Sequence, residues 1–218
     1  MAIRRLMQLK ITKFIHSCLL VETPDRVALF DPGGMSEAAL PVDKLDRLDD
    51  IFITHIHGDH LSVPLLKQLI AKFPTVRITS TDEVVKQLVT EGIKATPTPP
   101  AGVSFFESPH EDVSPMFGQP PQEIGIHYLD VLSDPGDSHS FHETKAVLAL
   151  PVTAPWGSSN RALNLALELK PKHVLPIHDW HWNDQARAQT YDLFERILGE
   201  KGITFHKLET GQPVEISV

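Results

Sequence analysis

Short apolar runs separated by turn residues dominate the first part of the chain. Leu9 and Ile11 alternate with polar neighbours, and 18–21 and 27–30 are near-continuous apolar runs split by the turn Thr23-Pro24-Asp25. A further run, 51–54, follows acidic residues and reads as a buried strand. The period then changes. Leu65, Leu66, Leu69 and Ile70 recur at helical spacing behind Ser62, whose hydroxyl suits a helix N-cap, so a helix is expected over 62–73. A strand over 76–79, a helix over 82–90 and a strand over 103–106 follow in the same way.

Residues 111–122 contain Pro115, Gly118, Pro120 and Pro121, which predicts a loop rather than a domain boundary. Strands are expected again near 124–128 and over 146–150. The last third alternates: helix 159–169, strand 173–176, helix 184–198, and strands 203–205 and 214–217. Early hairpins followed by alternating helices and strands predict a layered α/β domain, with the whole span 1–218 as one domain. No internal repeat, low-complexity tract or flexible linker interrupts it.

Composition narrows the function classes. Hydrophobic residues make up 41% of the 218 and charged residues 22%, a globular balance that argues against both disorder and a membrane-embedded chain. A net charge of −8 opposes nucleic-acid binding. The single cysteine, Cys18, permits neither an intrachain disulfide nor a thiolate-rich metal site; in its apolar strand it reads as an inert core residue. Arg4 and Arg5 precede apolar residues, but Lys10, Thr12, Lys13 and His16 break the run a signal peptide would need, and no apolar stretch approaches the roughly 20 residues of a membrane span. A cytoplasmic protein acting on a small molecule is the expectation.

Histidine is the unusual residue, at 12. The segment Thr54-His55-Ile56-His57-Gly58-Asp59-His60 directly follows the predicted 51–54 strand. Alternate residues leaving a strand face one side, so His55 and His57 can grip one cation, while Asp59 and His60 beyond the Gly58 turn can face a second. Imidazole nitrogens and carboxylate oxygens suit zinc, manganese or iron, whereas calcium prefers all-oxygen ligands. Two cations need more ligands than these four. His110, Asp137 and His178 supply them, each at a predicted strand end or in the loop after it.

With Asp31-Pro32-Gly33, the His-x-His-x-Asp-His segment, His110, Gly136-Asp137-Ser138 and Pro176-Ile177-His178 in that order, the chain resembles the metallo-β-lactamase superfamily over nearly its whole length. Within it, the chain looks most like the compact hydrolases related to L-ascorbate-6-phosphate lactonase. The resemblance implies a four-layer αββα sandwich with a dinuclear site at one edge of the sheets. It also implies that His55, His57 and His110 hold the first metal, that Asp59, His60 and His178 hold the second, and that Asp137 bridges them. Asp31 would orient a ligand histidine rather than bind metal. Asp134 competes with Asp137 for the bridging role and His181 with His178. Ile15 stands before His16 where the family often has glycine.

Two divalent ions, zinc foremost with manganese or iron as alternatives, imply a hydrolase that cleaves an ester, lactone, amide or phosphodiester, with Asp59 serving as ligand and as proton shuttle. A phosphorylated lactone fits the resemblance, though no phosphate-binding loop is evident. The competing reading is an iron-dependent oxidoreductase like the persulfide dioxygenases, which share the His-x-His-x-Asp-His motif. A metal-binding protein without catalysis is the third. His139, Trp156, Trp180, Trp182 and Arg161 flank the proposed loops as further pocket residues or as ordinary packing and surface groups. No trace of oligomeric state is readable.

Overall fold

The structure, a computed structural model, describes residues 6–114 and 116–218; Arg4, Arg5 and Pro115 lie outside the described residues. Among the described residues, twelve strands form two six-stranded sheets. In the first, β1 (Gln8–Lys13), β2 (Leu19–Glu22) and β3 (Val27–Phe30) form the antiparallel opening, and β4 (Asp50–Phe52) and β5 (Arg77–Thr79) continue it in parallel. The closing strand β12 (Pro213–Ser217) pairs antiparallel with β1. The second sheet comprises β6 (Val103–Phe106), β7 (Gly125–Tyr128), β8 (Leu132–Asp134), β9 (Val147–Pro151), β10 (His173–Ile177) and β11 (Thr204–Phe205) in the order β11-β10-β9-β8-β7-β6. Helices α1 (Val63–Lys72), α2 (Asp82–Thr90), α3 (Ser159–Leu169) and α4 (Asp184–Gly199) complete the set.

Strand periodicity of two decides which layer each side chain joins. Ala28 and Phe30 of β3 face the core between the sheets, where Ile126, Tyr128, Val147 and Ala149 meet them. Leu29 faces the other way, into the cluster that Leu65, Leu66 and Leu69 of α1 and Val84 and Leu88 of α2 close. In the second sheet Leu148 and Leu150 turn outward against Ala162 and Ala166 of α3 and Phe194 and Leu198 of α4. The result is helix, sheet, sheet, helix: the four-layer sandwich. Ser62, Thr81, Ser158 and Asn183 each accept a hydrogen bond from a first-turn amide, so all four helices start at side-chain caps.

Two expectations need correction. The strand expected over 51–54 ends at Phe52, because Thr54 turns its amide to the Asp31 carboxylate instead of a neighbouring strand. His55 and His57 therefore sit in a bent loop, not on the continuation of a strand. The second is β8, which no expected element covers; its three residues, Leu132 to Asp134, are too few to show a period.

Candidate metal centre

The carboxyl ends of β3, β4, β6, β8 and β10 open onto one edge of the sandwich, the usual place for a site in an α/β sheet. They deliver Asp31, the 55–60 loop, His110, Asp137 and His178 there, and the β1–β2 turn adds His16. Two sets of ligating side chains result, each with its donor atoms within 4.8 Å of one another: His55, His57, His110 and Asp137, and His16, Asp59, His60 and His178. Every residue expected to hold metal is in one of them. His16, left open by the sequence, joins the second. Asp137 touches both: its Oδ1 lies 3.0 Å from His60 Nε2, and its Oδ2 lies 3.0 Å from His178 Nε2 and 3.8 Å from His110 Nε2.

Hydrogen bonds on the far side of the rings fix which nitrogen faces inward. His110 Nδ1 donates to the Glu111 carbonyl at 2.6 Å and His178 Nδ1 to the Thr153 carbonyl at 2.8 Å. Carbonyls only accept, so both Nδ1 atoms carry a proton and both rings turn Nε2 inward. His60 Nδ1 meets Asp31 Oδ2 at 2.7 Å. The Thr54 hydroxyl gives its one hydrogen to Asp31 Oδ2 and so accepts from His55 Nδ1 at 3.0 Å, with the Glu123 carboxylate 3.0 Å from the same nitrogen. Four imidazoles are thus turned with Nε2 toward the Asp137 oxygens or toward His57 Nδ1, which lies 3.1 Å from His55 Nε2 and 3.2 Å from His110 Nε2.

Lone pairs converging on one another and on a carboxylate repel unless a cation lies between them. His60 Nε2 and Asp137 Oδ1 are both buried and, despite their 3.0 Å approach, have no hydrogen-bond partner. Burial opposes charge on His60, but Asp137 and Asp31 outweigh it and push the imidazole well above its ordinary range. The pocket calls for positive charge, which bound divalent cations would supply. The nitrogen-rich donor set with carboxylates fits zinc, manganese or iron.

Local backbone strain marks the same edge. His16, Asp31 and His178 all adopt left-handed φ values, 66°, 44° and 64°. Gly136, before Asp137, is also left-handed at 66°, and a Cβ there would lie 2.8 Å from the Glu123 carboxyl carbon. Gly33 is needed for close approach instead: its Cβ would stand 1.7 Å from the Asp59 carbonyl oxygen. Behind His178, buried Lys13 pairs with Asp179 at 2.8 Å, anchoring the loop that follows His178 to the end of β1.

Other expected candidates fall outside the two sets. Asp134 is enclosed and accepts from the Gly136 amide, and burial followed by the Asp31 charge pushes its carboxyl up to about 8. His139 donates Nε2–H to the Pro151 carbonyl, and His181 lines the cavity in front of the cluster. Arg161 is held by both Glu111 oxygens at 2.8 and 2.9 Å. Trp156 donates to Asp137 Oδ2 at 3.3 Å, Trp180 lines the cavity, and Trp182 packs on the core under α3 and α4. Burial pushes the Cys18 thiol up to about 12, as suits an inert core residue. Glu123, which also accepts from the Asp137 amide at 2.9 Å, is the site residue that sequence reasoning missed. No motif surrounds it.

No described helix is long and apolar enough to cross a membrane. Protein Rv0786c of Mycobacterium tuberculosis is 29% identical over 221 residues, covering 90% of this chain and 100% of that protein. The cytidine monophosphate-N-acetylneuraminic acid hydroxylase of Cricetulus griseus is 36% identical over 83 residues, 33% of this chain but 15% of its own length. Among solved structures, Igni18, a metallo hydrolase from Ignicoccus hospitalis, superposes with a TM-score of 0.69 at 20% identity, over 96% of this chain and 98% of that one. The family model described as the metallo-beta-lactamase superfamily matches residues 11–148, the stretch that carries the opening strands, the 55–60 loop, His110 and Asp137. With sandwich, edge site and family model in agreement, the chain belongs to the metallo-beta-lactamase superfamily.

Proposed function

We propose that the protein is a metal-dependent hydrolase of a small molecule, with one cation held by His55, His57 and His110, a second by Asp59, His60 and His178, and Asp137 shared between them. The observation that carries this reading is the inward convergence of ring nitrogens on Asp137, each ring locked from behind by an acceptor. Bound divalent ions held by these residues would supply a water whose pKa falls from 15.7 to roughly 7 and would polarise the oxygen of an ester, lactone or phosphodiester. His16, whose Nε2 lies 3.1 Å from Asp59 Oδ2, either steadies that carboxylate or joins the second set as a ligand. Asp59 is the more exposed of the two carboxylates lining the cavity, at about a quarter, which supports its passing a proton between the reacting group and solvent. Trp156 and the Asp31 carboxylate hold Asp137 and His60 in register.

Elemental analysis of the purified protein tests the reading first. Two equivalents of zinc or manganese are expected, and His57→Ala should lower the metal content and reduce ester and lactone hydrolysis to background while circular dichroism stays unchanged. Full activity in a metal-free variant would refute it. One equivalent of iron with oxygen uptake would transfer the site to oxidative chemistry, the reading favoured by the partial match to a hydroxylase.

A further inference from the structure

The cavity in front of the histidine cluster measures about 490 Å³, within the range of small-ligand sites. His57, Asp59, Asp137 and His178 form its floor, and its walls are mostly apolar, Met35, Val113, Phe117, Pro155, Trp156 and Trp180, with the His181 imidazole beside them. Phe117 and Trp180 are 61% and 49% exposed, although side chains of that size are normally covered. Two of the six exposed large apolar side chains among the described residues thus line one cavity, the pattern of a surface kept open for a ligand. No lysine or arginine lines it among the described residues. Arg161, in the first turn of the helix that follows the Trp156 loop, is committed to Glu111. Lys13 and Arg187 line a separate 910 Å³ cavity on the other side of Trp180, where each is paired with an aspartate.

We infer that this cavity receives an apolar acyl or aryl group of the substrate, which lies against Phe117, Trp156 and Trp180 while the bond to be cleaved sits at the histidine cluster. The inference rests on the hydrolase reading for the position of the bond. It departs from the phosphorylated lactone that the sequence resemblance suggests, because a phosphate in this cavity would meet aromatic faces and no side-chain cation. The substrate class it names is an ester or lactone with a hydrophobic chain or ring beside the scissile carbonyl.

Calorimetric titration of the purified protein with straight-chain carboxylates, acetate through octanoate, tests this without turnover. The head group stays constant, so the dependence on length reports the tail alone. Each added methylene should tighten binding by about two- to fourfold, the upper figure being that of full burial. Phe117→Ala and Trp180→Ala should each weaken octanoate by about fivefold or more and leave acetate unchanged. Leu193→Ala, an exposed apolar position on α4 away from the cavity, should change neither. Affinity independent of chain length, or octanoate binding unaffected in both cavity variants, would overturn the inference. Length-dependent binding by a protein that hydrolyses nothing would sink the hydrolase reading and leave the apolar pocket standing. Flat binding by a protein that cleaves short esters would do the reverse.

Discussion

Glu123 shows how much of a metal site lies outside its ligands. Its side chain is fully enclosed, 3.0 Å from His55 Nδ1, and it accepts the Asp137 amide at 2.9 Å, so one carboxylate steadies a member of the first set and the residue shared by both. Groups of this kind typically change metal affinity by 10- to 100-fold. Glu123→Gln keeps an acceptor and should weaken zinc binding by about tenfold; Glu123→Ala, which removes it, by about a hundredfold. Competition with a chelator dye reads both, and equal affinity for wild type and Glu123→Ala would rule out the role. The candidate ligands were legible in the sequence because they crowd together at His55, His57, Asp59 and His60. Glu123 was not, since its partners lie 68 and 14 residues away and only folding brings them near.

Between elements, the loop after β3 and the loop after β4 are fitted backbone to backbone. Gly34 donates to the Gly58 carbonyl at 2.8 Å, and Ser62 donates to the Pro32 carbonyl at 3.0 Å. Gly33 lies between these contacts, where any side chain would strike the Asp59 carbonyl. Gly33→Ala must push the two loops apart. It should cost about 1–3 kcal/mol in stability, as overpacking does, and lower the occupancy of the second metal set more than the first. Urea unfolding and metal counting check the two parts; a variant with wild-type stability and full metal would mean that the loops have room to move. The Asp-Pro-Gly turn was visible in the sequence, but not its contact with Asp59, because nothing local requires that glycine: its φ is −80°.

At the scale of the whole molecule, a half-buried histidine pair sets an acid limit on the fold. His206, just after β11, lies 3.1 Å from His173 at the start of β10, and burial followed by the neighbouring His173 brings it down to about 4. An unfolded histidine titrates near 6.5, so as pH falls the unfolded chain takes up the proton first. The stabilising contribution of His206 is complete above pH 6.5 and is lost between 6.5 and about 4. His206→Gln should shrink the fall in urea midpoint between pH 7 and pH 4.5 relative to wild type. An identical fall in both proteins would show that His206 does not titrate in this way. Residue order alone carried the layered architecture, since period-two strands and capped, period-3.6 helices are local properties, and it singled out the candidate metal-binding side chains because they cluster or follow strand ends. Tertiary structure decided the rest: that His16 enters the second set, that Asp137 rather than Asp134 faces both, that Arg161 is spent on Glu111, and that aromatic walls flank the opening. Each of these depends on distances between segments far apart in the chain, which spacing along the sequence does not encode.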